Sequence, residues 1–587
     1  MKRKAQDNHF TTTDNQVLFY SYWKSETEKP ERAILLLHRG HEHSGRLQHI
    51  VDEMQLPNTA FFAWDMRGCG KTEGKRGFSP SFMTWVYDLN AFVKHIKTNH
   101  QTPENEIVVV AQSVGAVIAA AWVHDFAPKI KGLVLASPAF SVDLIFPFAL
   151  ESIKFLHKIK GTFFVKSYVK GKQLTHDEER AKSYHNDPLV TLPISSNVLI
   201  ELYDVSDRII KDAGAIITPT QVLISGDDAV VRYQPQKDFY NNLSATLKEV
   251  HIMQGFHHDT LGEKDRNQAF DLIKNFISKI EALDTKVNLL EAHQRGYTYT
   301  EYQELLMPKS PNFWNEINFS MTRKSMKYIG KHASQGIKLG VDTGFDSGST
   351  LDYVYKNKIK SLGVFKLIGF GQLIDKIYLE SIGWRGIRIR KINLETLIRK
   401  YIIQLNQYNS NKINILDIAS GHGRYILDAV SPLKEKINHI KLRDYSEINV
   451  KAGKELIKEK QLSDIATFVN ANAFDGDSIA NENPKPDLVV VSGLYELFSD
   501  NMLIMNSLKG IYKAIDSGYL IYTNQPWHPQ VELIARTLNN HQGNHKWVMR
   551  RRTQAEMDQL VANAGFEKME QLQDDWGIFT VSVARKI

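Results

Sequence analysis

Three residues suited to covalent ester cleavage occur in order along the chain: Ser113, Asp228 and His258. Ser113 lies in IVVVAQSVGA, where an apolar run from Ile107 meets Gln112, Ser113, Val114 and Gly115 before the small-residue stretch AVIAAAW. The pattern predicts a strand, a sharp turn and a helix, which together lift the serine hydroxyl to where a base can reach it. Ala111 stands where the first glycine of a GxSxG turn is usual, adding a methyl where packing is close. Asp228 follows the apolar run QVLIS and His258 follows EVHIM, so both belong at strand carboxyl ends, where ligand-facing groups of parallel sheets gather. His258 would take the Ser113 proton and return it to the leaving alcohol, while Asp228 fixes the imidazole tautomer. Backbone N–H groups of Gly40, in LLLHRGHEHSGR, and of Val114 would face the oxyanion. His38, His41 and His43 share that loop but lack nearby cysteine and regular helical spacing, so loop structuring rather than a metal is expected.

A second constellation begins at ILDIASGHGRY, which puts Asp417 at the end of a buried strand and Gly421 and Gly423 in the following turn. Ile426 occupies the third glycine position of a GxGxxG pattern, which disfavours a pyrophosphate-binding site. The residues instead match the DxxxGxG signature of class I S-adenosylmethionine-dependent methyltransferases, so S-adenosyl-L-methionine is the expected cofactor. Asp444, ending the next strand, would accept the ribose hydroxyls. Asn472, beside Ala473, would bond the adenine amino group, with Asp475 as second choice. Tyr495 and Glu496 follow the fourth strand and reach the rim of the site; Tyr495 and His528 are candidate proton acceptors, and Arg385, Arg388 and Arg390 a clamp for an anionic acceptor.

The elements that must position these residues follow from hydrophobic periodicity. From Glu31 to Leu283 the short runs AILLLH, TAFFAW, IVVVA, GLVLAS, QVLIS and EVHIM alternate with longer amphipathic stretches, implying a mostly parallel α/β sheet covered on both faces. The rhythm stops between Pro138 and Thr218, an apolar-rich insert that reads either as a cap suited to an acyl chain or as an added core-packing subdomain. A second alternation starts after Ile413 with INILDIA, HIKLRD, ATFVNA, DLVVVS and GYLIYT, and closes with IFTVSVA in an antiparallel hairpin. The expected organisation is therefore a hydrolase domain over 1–283 with its cap near 138–218, a linker and helical substrate region over 284–400, and a Rossmann-like domain over 401–587.

Composition sets the bounds. A chain of 587 residues exceeds a single core, and 42% hydrophobic with 24% charged residues is ordinary for a soluble protein. No run of about 18 apolar residues is present. One cysteine, Cys69, excludes an internal disulfide and a multi-cysteine zinc site, and suits a reducing cytoplasm. Between Leu351 and Lys400 eleven Lys or Arg face four Asp or Glu, an excess equal to the net charge of +7. That segment reads either as a phosphate- or membrane-attracting surface or as a solvated helical face. No nucleic acid is expected as partner. No cysteine lies in the C-terminal half, which excludes methylation of a base carbon through a cysteine adduct, and SGLYEL is unlike an NPPY-type pocket for exocyclic amines.

HRGHEHSGR, WDMRGCGKT, AQSVGA, SGDDAVV and GFHHDTLGE together resemble the monoacylglycerol lipase and lysophospholipase group of α/β-hydrolases over residues 10 to 283. The resemblance implies a serine, aspartate, histidine triad at Ser113, Asp228 and His258, and a lipid or small-molecule ester substrate. Arg39 departs from the glycine usual after His38, where it either crowds the oxyanion loop or contacts a phosphate. GFDSGSTLDYVY, GWRGIRIRK, GLYELFSDN, NQPWHPQ and DDWGIFTVSVA resemble a family of bacterial methyltransferases over residues 290 to 587. The expected protein is bifunctional and cytoplasmic, with peripheral contact to the inner membrane face. A methyltransferase carrying a non-catalytic, lipid-binding hydrolase fold is the second reading.

Overall fold

The computed structural model describes residues 3–28, 30–144, 146, 148–283, 287–310, 312–359, 370–409, 412–542 and 545–587. The chain parts into two compact units, Met1–Val287 and Asn288–Ile587. The boundary expected at Asp284 lies outside the described residues, and the division expected at residue 400 falls inside a continuous helix, Ile382–Asn409.

In the first unit the strands are β1 (Gln6–Thr11), β2 (Val17–Trp23), β3 (Arg32–Leu37), β4 (Thr59–Trp64), β5 (Ile107–Gln112), β6 (Gly132–Ala136), β7 (Phe164–Lys166), β8 (Pro193–Ser195), β9 (Thr220–Ser225) and β10 (Lys248–Met253). Eight of them form a sheet in the order β1-β2-β4-β3-β5-β6-β9-β10, parallel from β4 onward. Apart from the half-buried Arg32 that opens β3, the central strands β3, β4 and β5 are buried along their length, which is why AILLL, TAFFAW and IVVVAQ read as nearly continuous apolar runs rather than alternations. Antiparallel β1 and β2 extend the sheet at one edge; QDNHFT is mostly exposed and carries no apolar run to reveal it in the sequence. Helices Phe82–Asn99, Val114–Phe126 and Asn267–Glu281 pack on the sheet, their buried faces dominated by Phe, Trp, Ile and Ala. Between β6 and β9 the insert forms helices Ala149–Lys160, Glu178–Asn186 and Ser196–Lys211 with the short antiparallel ribbon β7–β8.

In the second unit the strands are β11 (Ile413–Ile418), β12 (Ile437–Asp444), β13 (Ala466–Asn470), β14 (Leu488–Val491), β15 (Tyr519–Asn524), β16 (Phe566–Gln573) and β17 (Thr580–Lys586). Their order is β13-β12-β11-β14-β15-β17-β16, with β17 antiparallel to both neighbours. The strand order reverses between β11 and β14, and the crevice at such a reversal is where open α/β sheets hold ligands. Helices between Tyr297 and Asn409 precede the sheet. They are tied to it by buried arginines: Arg550 bonds Glu556 and Thr298, Arg551 pairs with Glu301, and Arg536 donates to the carbonyls of Glu304 and Leu305. Among the described residues, no helix is long and apolar enough to cross a membrane.

Candidate active sites

The turn after β5 brings the three predicted residues together. Ser113 has φ 55° and ψ −119°, a strained conformation for an L-residue, and its hydroxyl donates to His258 Nε2 at 2.8 Å. His258 Nδ1 donates in turn to Asp228 Oδ2 at 2.8 Å. Burial works to raise the Asp228 pKa, but the charge and hydrogen bond of His258 and the Val230 and Val231 N–H groups hold it below the usual carboxylate range. A Cβ on Gly115 would lie 2.5 Å from the His38 carbonyl, so this position of the turn demands glycine. Ala111, by contrast, is an ordinary residue of β5 paired with Leu37 and Leu135, and its methyl is absorbed in the core.

Gly40 and Val114 adjoin: a Cβ on Gly40 would sit 3.0 Å from Val114 Cγ2, and both line one cavity with Ser113 and His258. Val114 opens the helix, where an N–H has no intrahelical acceptor. The cavity, of about 130 Å³, is walled mostly by apolar side chains, among them Val142, Leu144, Val169 and Leu174 of the insert, with Arg39, His41 and Lys166 also in its lining.

The loop histidines turn to structural partners. His38 donates through Nδ1 to the Arg39 carbonyl and accepts the Met66 N–H; His41 donates to the Thr191 carbonyl; His43 pairs with Asp187. Arg39 is buried, bonded by two nitrogens to Glu42 and 3.3 Å from Asp259, which also holds Arg180 of the insert. Gln112, which the sequence did not single out, donates to the His258 carbonyl and to Asp259, fixing the histidine loop onto β5. Another grouping legible only in space is His176, His257 and Glu263, whose ligand-type atoms lie within 4.8 Å of one another. Glu263 there already accepts from Thr175, His176 and the Lys264 N–H.

In the second unit Asp417, just before the last residue of β11, is fully buried, accepts the Tyr425 hydroxyl at Oδ1, and has Oδ2 without a partner among the described residues. Burial, with the charge of Asp444, pushes its pKa up to about 7. Gly421 and Gly423 both have positive φ, and a Cβ on Gly423 would lie 2.3 Å from Leu442. Asp444 accepts from the Gly421 N–H, the Ser446 N–H and Asn449, so it shapes the glycine turn as well as standing at the end of β12. Ala473 is buried; Asn472 is exposed and accepts the Phe474 N–H, and Asp475 caps the helix Gly476–Ala480. An orphaned carboxylate oxygen beside a glycine turn at the β11/β14 reversal fits the ammonium end of S-adenosylmethionine, and Asn472 Oδ1, with one bond to the Phe474 N–H, keeps a second lone pair for an amino group.

The predicted acceptor residues separate. His528 and Arg390 line a cavity of about 190 Å³ together with Glu496, Gln525 and Gly493. Tyr495 does not reach it: the ring is buried in the core and its hydroxyl pairs with Ser507, because Tyr495 and Glu496 leave the same short turn in different directions. Arg385 is exposed and stacks over Trp576 at 4.5 Å, and Arg388 bonds the Leu379 carbonyl and Glu380, so the expected arginine clamp is not formed. Nor does His528 suit proton acceptance. Its Nδ1 accepts the Gln530 N–H, and burial pushes its pKa down to about 4, leaving a neutral ring with its proton on Nε2. The basic segment is largely answered locally: Lys356, Arg388, Arg390, Lys391, Arg399 and Lys400 each hold an acidic partner, and Lys360 and Lys366 lie outside the described residues.

Comparison with known proteins agrees with this division. A model of the family described as "Putative methyltransferase" matches residues 273–586, and one described as "Serine aminopeptidase, S33" matches residues 28–265. The chain is 49% identical over 580 residues to Uncharacterized protein YnbC of Escherichia coli, covering 98% of each. It is 23% identical over 257 residues to Phospholipase YtpA of Bacillus subtilis, covering 43% of this chain and 98% of that one. It is 22% identical over 264 residues to Monoacylglycerol lipase of Mycolicibacterium smegmatis, covering 44% and 92%. Over its C-terminal half the chain therefore belongs to the "Putative methyltransferase" family, joined to an N-terminal α/β-hydrolase domain of the lipase and esterase type.

Proposed function

We propose that the first unit hydrolyses the ester of a single-chain glycerolipid, a monoacylglycerol or lysophospholipid, and that the second transfers a methyl group from S-adenosylmethionine to a small or lipidic acceptor. The observation that carries the first half is the pair of 2.8 Å hydrogen bonds from Ser113 to His258 to Asp228, opening on an apolar cavity. Since Nδ1–H is committed to Asp228, Nε2 is the acceptor for the serine proton. Ser113 Oγ then bonds to the ester carbonyl carbon, the Gly40 and Val114 N–H groups face the developing oxyanion, and His258 returns the proton to the departing alcohol. A donor of this kind contributes about 3 kcal/mol to the transition state. Water, deprotonated by the same imidazole, releases the acid. The apolar walls suit an acyl chain, and relatives carry the names phospholipase and monoacylglycerol lipase. A short-chain chromogenic ester tests the reading: intact protein turns it over, and Ser113→Ala lowers kcat at least about 10³-fold. Equal turnover by the variant overturns it.

In the second unit, Asp417, the Gly421–Gly423 turn, Asp444 and Ala473 are the residues that would hold S-adenosylmethionine. When bound, that group supplies an electrophilic methyl on sulfur. Asp417 Oδ2 is the free acceptor for its ammonium, and the glycines let the backbone approach. Calorimetry should give binding that Asp417→Ala weakens.

The membrane contact belongs, in this reading, to the helix Ala149–Lys160. Phe148 and Phe155 are 78% and 65% exposed there, beside Lys154, Lys158 and Lys160. An apolar face edged by cations is the pattern of a helix lying on an anionic surface at the cytoplasmic membrane face. Vesicles containing anionic lipid should retain the intact protein and release a Phe148→Asp, Phe155→Asp variant; equal retention overturns the assignment.

A further inference from the structure

The cavity in the second unit has walls of unusual chemistry. Phe345, Tyr378, Trp384, Trp547 and Phe579 supply rings, and Ile387 an aliphatic face. Residues of this lining also carry buried polar atoms that have no hydrogen-bond partner among the described residues: Glu496 Oε2, Arg390 Nε, Gln525 Nε2, Trp547 Nε1 and Tyr378 Oη. Leaving such an atom unpaired costs about 1–3 kcal/mol, and native proteins carry few of them, so several on residues that line one cavity point to a ligand that pairs with them.

Their signs describe that ligand. Glu496 Oε1 already receives Arg390 Nη1 at 3.1 Å, and Arg390 lies over the Phe579 ring at 4.9 Å. The two charges therefore cancel, and the other carboxylate of the lining, Asp346, is already held by the His541 N–H and by His541 Nδ1 at 2.8 Å, so a ligand bringing net charge would be buried without a free counterion. Glu496 Oε2 is an acceptor awaiting a donor. Arg390 Nε, Gln525 Nε2 and Trp547 Nε1 are donors, as is His528 Nε2–H, and the Tyr378 hydroxyl can play either part. The ion pair sits at the mouth of β14, since Gly493 has φ 71° and a Cβ there would come 3.1 Å from Arg390 Nη2. β14 pairs with β11, whose end carries Asp417. A cavity of about 190 Å³ is somewhat larger than the roughly 150 Å³ that accepts benzene.

We propose that this cavity takes an uncharged, ring-bearing apolar molecule by a single hydroxyl or amine, hydrogen-bonded to Glu496 Oε2, and that Glu496 receives the proton this group loses on methylation. The inference rests on the methyltransferase reading. Glu496 takes the proton as the acceptor's new O–C or N–C bond forms and the donor's S–C bond breaks, its electron pair staying on sulfur. One carboxylate charge and one sulfonium charge are discharged together, leaving a carboxylic acid and a neutral thioether, S-adenosylhomocysteine.

Calorimetric titration of the full chain with 4-ethylphenol, 4-ethylaniline, ethylbenzene and 4-ethylbenzoate tests it. The phenol and the aniline should bind at least about 10-fold more tightly than the benzoate. Glu496→Gln should weaken the phenol and aniline about 10-fold and change ethylbenzene less than about 2-fold. Ile387→Trp, which fills the cavity, should remove this Glu496-dependent binding. Preference for the benzoate, or indifference of all four to Glu496→Gln, overturns the proposal. If Glu496→Gln fails to fold, the ranking in the unaltered chain decides alone. S-adenosylmethionine is titrated separately: its failure to bind the unaltered chain would sink the methyltransferase reading, and with it the role of Glu496 as proton acceptor, even where the ranking holds. S-adenosylmethionine binding without the ranking would sink the acceptor class alone.

Discussion

Asp417 shows how one side chain links folding to ligand binding. Its pKa of about 7 stands above the ordinary 3.8, so the folded chain holds a proton that the unfolded chain has lost between those values. Stability contributed by this residue is therefore full below about pH 4, declines as pH rises towards 7, and is level above. Asp417→Asn should flatten that slope and stabilise the chain at pH 8 by on the order of 2–4 kcal/mol in thermal unfolding, while weakening S-adenosylmethionine binding. A cation placed against Oδ2 favours the carboxylate, so binding near pH 6.5 should release a proton, read as a dependence of calorimetric heat on buffer ionisation enthalpy. Heat independent of buffer would contradict the placement of Asp417 at the cofactor's ammonium.

At the scale of elements, the β5 turn separates what its residues tolerate. Gly115→Ala drives a methyl against the His38 carbonyl, a backbone atom that cannot step aside. It should cost about 2–3 kcal/mol in denaturant unfolding and depress ester turnover, whereas Ala111→Gly should change stability by less than about 1 kcal/mol. The central strands were legible because buried parallel strands are apolar along most of their length, and Ser113 and Asp228 because each follows such a run; His258 follows the half-buried edge strand β10, whose apolar residues are fewer. Direction within a turn was not. Tyr495 and Glu496 are adjacent, and only packing decides that the tyrosine enters the core and the glutamate the cavity wall. Arg385, Arg388 and Arg390 share one helix, yet their spacing spreads them around it and only Arg390 reaches the cavity. Buried arginines such as Arg536, Arg550 and Arg552 donate to carbonyls distant in sequence, those of Leu305, Ser499 and Tyr495, which no local pattern announces.

Across the whole molecule, each site draws its residues from its own unit, the triad from Met1–Val287 and the Asp417–Glu496 set from Asn288–Ile587. Ser113→Ala should thus abolish ester turnover with S-adenosylmethionine affinity unchanged within about 2-fold, and Asp417→Ala should do the reverse. A loss of both functions in either variant would show coupling. Ser113, one serine in a chain with many, is made nucleophilic by its surroundings in the proposed hydrolase. Intact mass spectrometry of the full chain after exposure to a fluorophosphonate reads this directly. One adduct, mapped to Ser113 and absent from His258→Ala, is the predicted result; an unmodified chain, or an adduct that persists without the histidine, would contradict it.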